Sequence, residues 1–285
     1  MPSPSAESAR SASPAASETL RLATWNVNSL RARLPRVLDW LQRVQPDVLC
    51  LQETKLTDAA FPHADLEQLG YASAATGDGA YNGVAILSRV GIEDVRRGFA
   101  GEPGFPEPER RAIAASCGGL RVWSLYVPNG RELESPHLAY KLAWLAALRD
   151  AARDQLAAGL PLALCGDFNV APRDQDVWDP AQFIGSTHVS APERQAVAAL
   201  LELGFTDVQP RALKGEPFTY WDYRAGMFHK GCGMRIDLVL LAGDLAAGVR
   251  DAYIDRDARK GSKPSDHAPV VVDVEMPATG GASGS

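Results

Sequence analysis

The segment LPLALCGDFNV, residues 160–170, runs from an apolar strand straight into an acid, an aromatic and an amide. Side chains alternate along an extended chain, so Asp167 and Asn169 share one face and Phe168 takes the other. Asp and Asn are also ordinary residues for a turn after a strand, so this segment alone leaves both readings open.

The same design recurs along the chain. RLATWNVN opens as a strand over residues 21–26 and ends at Asn26 and Asn28, while DVLCLQET reads as a buried strand ending at Gln52 and Glu53. LRVWSLYV leads to Tyr126, and in HAPVVVDV the last strand carries Asp266 and His267 on its lip. Asp237 lies inside the apolar run RIDLVLL. A carboxylate there costs several kcal/mol unless it is paired or binds a cation. A salt bridge from neighbouring Arg235 would explain Asp237 alone, but several such residues together point to one shared site.

Between these strands the apolar period becomes helical. LPRVLDWLQRV puts Leu34, Val37, Leu38, Leu41 and Val44 on one face, with Pro35 expected in the first turn. SPHLAYKLAWLAALRDAARDQLAAG is the longest helix, with Ser135 as N-cap and Gly159 as its stop, and APERQAVAALLELG is a second amphipathic helix. GVAILSR, residues 110–116 and LRVWSLYV form a β-rich block between Gly/Pro turns. This is not regular βαβα alternation. It predicts an α/β protein of two mixed sheets packed face to face with helices outside. No interior linker interrupts residues 20–276, so one domain is expected there, with disordered tails at 1–19 and 277–285.

Composition narrows the function classes. The chain has 285 residues, 46% of them hydrophobic, and no apolar run long enough to span a membrane. The first twenty residues lack the apolar stretch of a secretory signal. Four scattered cysteines without CxxC spacing exclude a zinc or disulfide framework and suit a reducing, cytoplasmic setting, with Cys50 and Cys165 as small core residues. The net charge of −6 argues against non-specific coating of nucleic acid, although a metal site that concentrates carboxylates fits it. Two basic clusters, Arg31/Arg33/Arg36 and Arg256/Arg259/Lys260/Lys263, read singly as solvated faces. The five histidines have neither HxH nor HExxH spacing, and no GxSxG elbow supports a serine nucleophile.

Glu53 beside Asn26 offers hard oxygen donors suited to Mg²⁺ or Mn²⁺, although a helix N-terminal Glu is the plainer reading. In GDFN, Asp can take a proton from water, while Asn can donate to a developing oxyanion without adding negative charge.

Taken in order, WNVNSLRARL, LQETK, YNGVAILSR, YVPNG, GDFNVAP, RIDLVLL and SDHAPV resemble the exonuclease III family of abasic-site endonucleases, within the group that includes DNase I. The resemblance spans about residues 21–275, and the stretch FIGSTHVSAPERQAVAALLELGFTDV also looks like the bacterial branch. It implies a four-layered α/β sandwich and a Mg²⁺-dependent DNA repair nuclease, with Mn²⁺ as a substitute ion. Such an enzyme cuts 5′ to abasic sites in duplex DNA and processes blocked 3′ ends as an exonuclease and phosphatase. A monomer is expected. A phosphatase of the same fold acting on non-DNA esters is the alternative.

Carried over position by position, the resemblance gives the metal to Asn26, Glu53 and Asp266, with Asp167, Asn169 and His267 around it. Tyr126 would contact the scissile phosphate, Asp167 would activate water, and Asn169 would stabilise the transition state. Asp237 would orient His267, which would bind the phosphate. Tyr220, Met234 and Ile236 would line a pocket for an extruded sugar, or else serve as ordinary core. Asn28, Arg31, Arg131, Arg224 and Lys230 are the expected substrate contacts. Asp266 and His267 are adjacent, so both can serve one site only if the chain turns at Ser265–His267 before its strand begins.

Overall fold

Period-two alternation sorts each strand's side chains into two cores. A computed structural model describes residues 19–277. The expected tails, 1–19 and 277–285, lie outside the described residues except for Thr19 and Pro277.

Sheet one runs in the order β10-β12-β13-β1-β2-β4-β3 and sheet two in the order β5-β6-β7-β8-β11-β9. In chain order the strands are β1 Thr19–Asn26, β2 Val48–Gln52, β3 Ala72–Thr76, β4 Val84–Ser88, β5 Glu93–Arg97 and β6 Ala112–Cys117. They continue as β7 Leu120–Tyr126, β8 Leu162–Asp167, β9 Phe205–Asp207, β10 Arg211–Ala212, β11 Asp237–Ala242, β12 Val249–Ile254 and β13 Val270–Glu275. The helices are α1 Leu30–Val44, α2 His63–Glu67, α3 Pro136–Ala157, α4 Ala191–Leu201, α5 Met227–Lys230 and α6 Gly243–Ala247.

In β8, Ala163 and Cys165 face the core between the sheets, where they meet Leu22, Cys50, Val122 and Val239. Leu162 and Leu164 face outward against Trp144 and Leu148 of α3. Trp25, Leu49 and Leu51 of sheet one likewise pack outward on Val37, Trp40 and Leu41 of α1. The result is the expected four-layered α/β sandwich, helix on sheet on sheet on helix.

Three local expectations change. Helix α1 begins at Leu30, where Ser29 accepts from the Ala32 backbone N–H, so Pro35 lies inside the helix and not in its first turn. Asp237 is the first residue of β11, at its end and not in its interior. Strand β12 was not expected, because in VRDAYI the charged Arg250 and Asp251 are adjacent and break the alternation. The long helix has its Ser135 cap as expected, and Gly159 follows it with φ +74°.

Candidate active site

Alternation that buries one residue aims its second neighbour at the same face, and at one end of the sandwich that face becomes polar. Leu22, Cys50, Val122, Cys165 and Val239 face the inter-sheet core. Asn26, Tyr126, Asp167 and Asp237 each stand an even number of residues along the same strands and emerge at the seam between the sheets. Register fixes three of them in a row, since Tyr126 pairs with Asp167 across β7–β8 and Asp237 pairs with Asp167 across β8–β11. Below them, Gln52 donates to Thr24 Oγ1 and Ser124 Oγ, both at 3.0 Å, and the three form a buried polar floor.

The chain reaches β13 after the turn that the sequence required. Ser265 Oγ donates to the Asn26 carbonyl at 2.7 Å and accepts from the His267 backbone N–H at 3.1 Å. The Trp25 indole donates to the His267 carbonyl, and the Trp221 backbone N–H donates to that of Asp266. His267 Nδ1 then lies 2.8 Å from Asp237 Oδ2, and its Nε2 is 3.8 Å from Asp167 Oδ2. Among the described residues, the other oxygen of Asp237, Oδ1, is buried without a hydrogen-bond partner. Arg235 does not neutralise Asp237, because it pairs with Asp176 and Asp207.

Burial works against a charged His267, but Asp237 and Asp167 outweigh it and raise its pKa to about 10. Burial, with Asp237 and Glu53 nearby, raises Asp167 to about 7 against the pull of His267. Burial opposes ionisation of Glu53, yet Lys55 and Asn26 bring it below the usual carboxylate range. Burial pushes the Tyr126 phenol well up, reinforced by Glu53 and Asp167. At neutral pH the site therefore holds an imidazolium and a neutral phenol.

One atom each from Glu53, Asp167 and His267 lie within 4.8 Å of one another, and of these the two carboxylate oxygens are the hard donors, with the charged imidazole beside them. This oxygen-rich set fits a hard divalent ion. Asn26 lies between the two carboxylates. Its Nδ2 donates to Glu53 Oε1 at 2.8 Å and Asp167 Oδ2 at 2.9 Å, while its Oδ1 is taken by the Asn28 N–H. Its amide bridges the two carboxylates at the place where the sequence expected a metal ligand. Asn28 links Asp266 to Lys55, which is also paired with Glu53.

A pocket of about 490 Å³ brings Glu53, Tyr126, Asp167, Asn169, Asp266 and His267 together with Tyr220, Met234, Ile236 and Arg224. A larger cleft of about 770 Å³, lined by Leu133, Phe183 and Ile184, carries none of the acidic cluster. Arg31 and Arg131 are exposed and stand outside the pocket lining, as does Lys230. Arg224 is held by Asp222. The basic clusters are not simply solvated. Arg33 donates to the carbonyls of Asn28 and Pro264, Arg36 to that of Ala258, and buried Arg259 to that of Ser265.

Sequence reasoning missed Asn129, whose Nδ2 donates to Asn169 Oδ1 at 3.2 Å, although YVPNG held the signal. It also missed His188 at the pocket wall, 3.5 Å from Asn129, where burial and then Lys141 hold its pKa down at about 4.

Hard oxygen donors and a carboxylate-backed imidazole at the seam of two packed sheets define a metal-dependent hydrolase of phosphate esters. The comparisons with known proteins agree, and the chain belongs to the Endonuclease/Exonuclease/phosphatase family, whose model matches residues 23–267. It is 33% identical over 258 residues to an exodeoxyribonuclease of Bacillus subtilis, covering 88% of this chain and 98% of that one. A 3′ phosphatase from Neisseria, solved with a product DNA hairpin, is 41% identical with a TM-score of 0.86, covering 90% of this chain and all of the other. An AP endonuclease from Archaeoglobus fulgidus is 38% identical with a TM-score of 0.84 over the same shares.

Proposed function

We propose that this chain is a Mg²⁺-dependent DNA repair nuclease that cuts the phosphodiester 5′ to abasic sites and cleans 3′ ends by exonuclease and phosphatase action. It would act in the cytoplasm as a monomer, within base excision repair. The observation that carries this reading is the row Tyr126–Asp167–Asp237 across three neighbouring strands, closed by His267 and Glu53. The names of the similar proteins support DNA as the substrate.

Asn26, Glu53 and Asp266 would hold the ion, which when bound would supply positive charge against the phosphate and the leaving 3′-oxygen. Asp167, with its pKa near 7, is suited to accept the proton of the attacking water as that oxygen bonds to phosphorus and the bond to the 3′-oxygen breaks. His267, kept charged by Asp237, would bind the phosphate and offset the charge that develops there. The neutral Tyr126 phenol would donate to the phosphate, and Asn169 to the transition state. Tyr220, Met234 and Ile236 would receive the extruded sugar, with Arg224 at the pocket and Asn28, Arg31, Arg131 and Lys230 outside it as contacts to the DNA backbone.

The test compares turnover of abasic, blunt and 3′-phosphate duplexes with that of a free inositol phosphate. All three DNA activities are expected, abolished by EDTA and reduced at least ~10²-fold in Asp167→Asn and His267→Ala. Turnover of the free ester alone would establish the same-fold phosphatase instead, and full activity of either variant would remove the assigned roles.

A further inference from the structure

Behind the pocket, Lys141 of α3 and Glu193 of α4 form an ion pair in which both side chains are fully buried. Such a pair gains little stability, because desolvating two charges roughly offsets their attraction and an apolar pair often does as well. Its value must lie in what else the two groups hold.

Lys141 Nζ donates to the Asn169 carbonyl at 2.6 Å. Glu193 Oε1 accepts from the backbone N–H of His188 at 3.0 Å, and Oε2 accepts from the N–H and hydroxyl of Ser190, which caps α4. Asn169 and His188 both line the catalytic pocket, and both have left-handed backbone, with φ of +51° and +73°. Non-glycine residues keep that conformation only where the surroundings impose it. One ion pair thus holds both from behind, the first through its carbonyl and the second through its N–H.

Asn169 is otherwise held by short local bonds. Its N–H donates to Asp167 Oδ1 and its Nδ2 to the Val127 carbonyl, both at 2.9 Å, and its Oδ1 accepts from Asn129. Among the described residues its second amide hydrogen has no partner, and Asn169 lines the pocket. A modest rotation of the backbone at Asn169 would turn that hydrogen away and shift Asp167 with it.

We infer that Lys141 and Glu193 are positioning residues that fix the Asn169 amide for the reaction from the two outer helices. This rests on the reading of Asn169 as a transition-state donor. The experiment replaces both charges together, Lys141→Met with Glu193→Gln, so that no uncompensated ion is buried. The variant is compared with the wild type and with Asn169→Ala, alone and combined, using saturating Mg²⁺ and a 3′-phosphate duplex. The expected result is a roughly tenfold or greater loss of kcat with KM within about twofold, and no further loss in the Asn169→Ala background. The Ala171 N–H donates to the His188 carbonyl at 2.8 Å, so hydrogen exchange at the amides of Asn169 and Ala171 is expected to quicken while the melting temperature changes little. An unchanged kcat, or the same loss with and without Asn169, would overturn the inference. If the wild type cleaves no DNA, the proposed function fails; the exchange rates at Asn169 and Ala171 then decide the positioning claim by themselves.

Discussion

His267 and Asp237 come from segments thirty positions apart, yet the imidazole is held in one orientation because a single 2.8 Å contact fixes Nδ1. The Nε2 edge then faces Asp167, and the ring carries its charge up to a pKa of about 10. Asp237→Asn keeps the shape and removes the charge, so the imidazolium loses its main support and its pKa falls. His267 is expected to act in its protonated form, so the alkaline limb of the kcat profile should move toward lower pH, with at least ~10²-fold lower kcat at pH 8. A pH–rate profile that keeps its alkaline limb would refute this coupling. Much of this site could be read in the sequence, because its residues sit at strand ends in apolar runs where a lone carboxylate is costly. Lys141 and Glu193 could not be read in that way. Each occupies an amphipathic helix where a charged residue is ordinary, and only the packing of α3 on α4 brings them behind Asn169.

The elements owe their placement to a few close approaches. Gly166 precedes Asp167 in β8 with φ +153°, and a Cβ there would meet the Leu125 carbonyl oxygen of β7 at 1.9 Å. Gly166→Ala must therefore push β7 from β8 and break the row of Tyr126 and Asp167. A loss of about 4 kcal/mol or more is expected in denaturant unfolding, with activity falling in the fraction that stays folded. A second test lies in the segment between β5 and β6, where Glu102 accepts from the Trp144 indole of α3 at 3.0 Å. Burial raises its carboxyl to about 7, so the folded state favours the proton. This stabilisation is fully present below the unfolded pKa near ~4.3 and is lost as pH rises through about 7. Thermal melts should therefore fall in this window, and Glu102→Gln should flatten them and melt higher than wild type at pH 8. Neither feature is visible in a strand pattern. The expected strands arise from alternation and buried runs, whereas β12 escaped because its exposed face is charged and its pairing with β13 is long-range.

At the scale of the molecule, the order of strands and helices was enough to suggest the sandwich, since an antiparallel-rich sequence with few helices cannot be wound as βαβ units. The sequence could not supply which ends of the two sheets meet. That is decided by β1 and β8 lying at the centres of their sheets, so that Asn26, Glu53, Asp167, Asp237 and Asp266 gather at one mouth of the seam. The gathering opposes folding, because acidic groups are drawn together against their repulsion. Within the protein, His267, Lys55 and the Asn26 amide offset part of it. A divalent ion that binds only the folded state should stabilise the whole molecule by RT ln(1 + [M]/Kd), about 2.7 kcal/mol at a hundredfold excess over Kd. Mg²⁺ should accordingly raise the melting temperature in the absence of DNA, and EDTA should lower it. Glu53→Gln removes a charge that Lys55 and the Asn26 amide favour, so this variant should melt at or below the metal-free wild type and show almost no response to Mg²⁺. A calorimetric titration in which Glu53→Gln gained as much as the wild type would move the ion elsewhere. The same cluster repels a DNA backbone, and the chain's charge of −6 adds to that, so duplex affinity should rise with Mg²⁺ up to saturation of the site and then fall as the ion screens the exposed arginines.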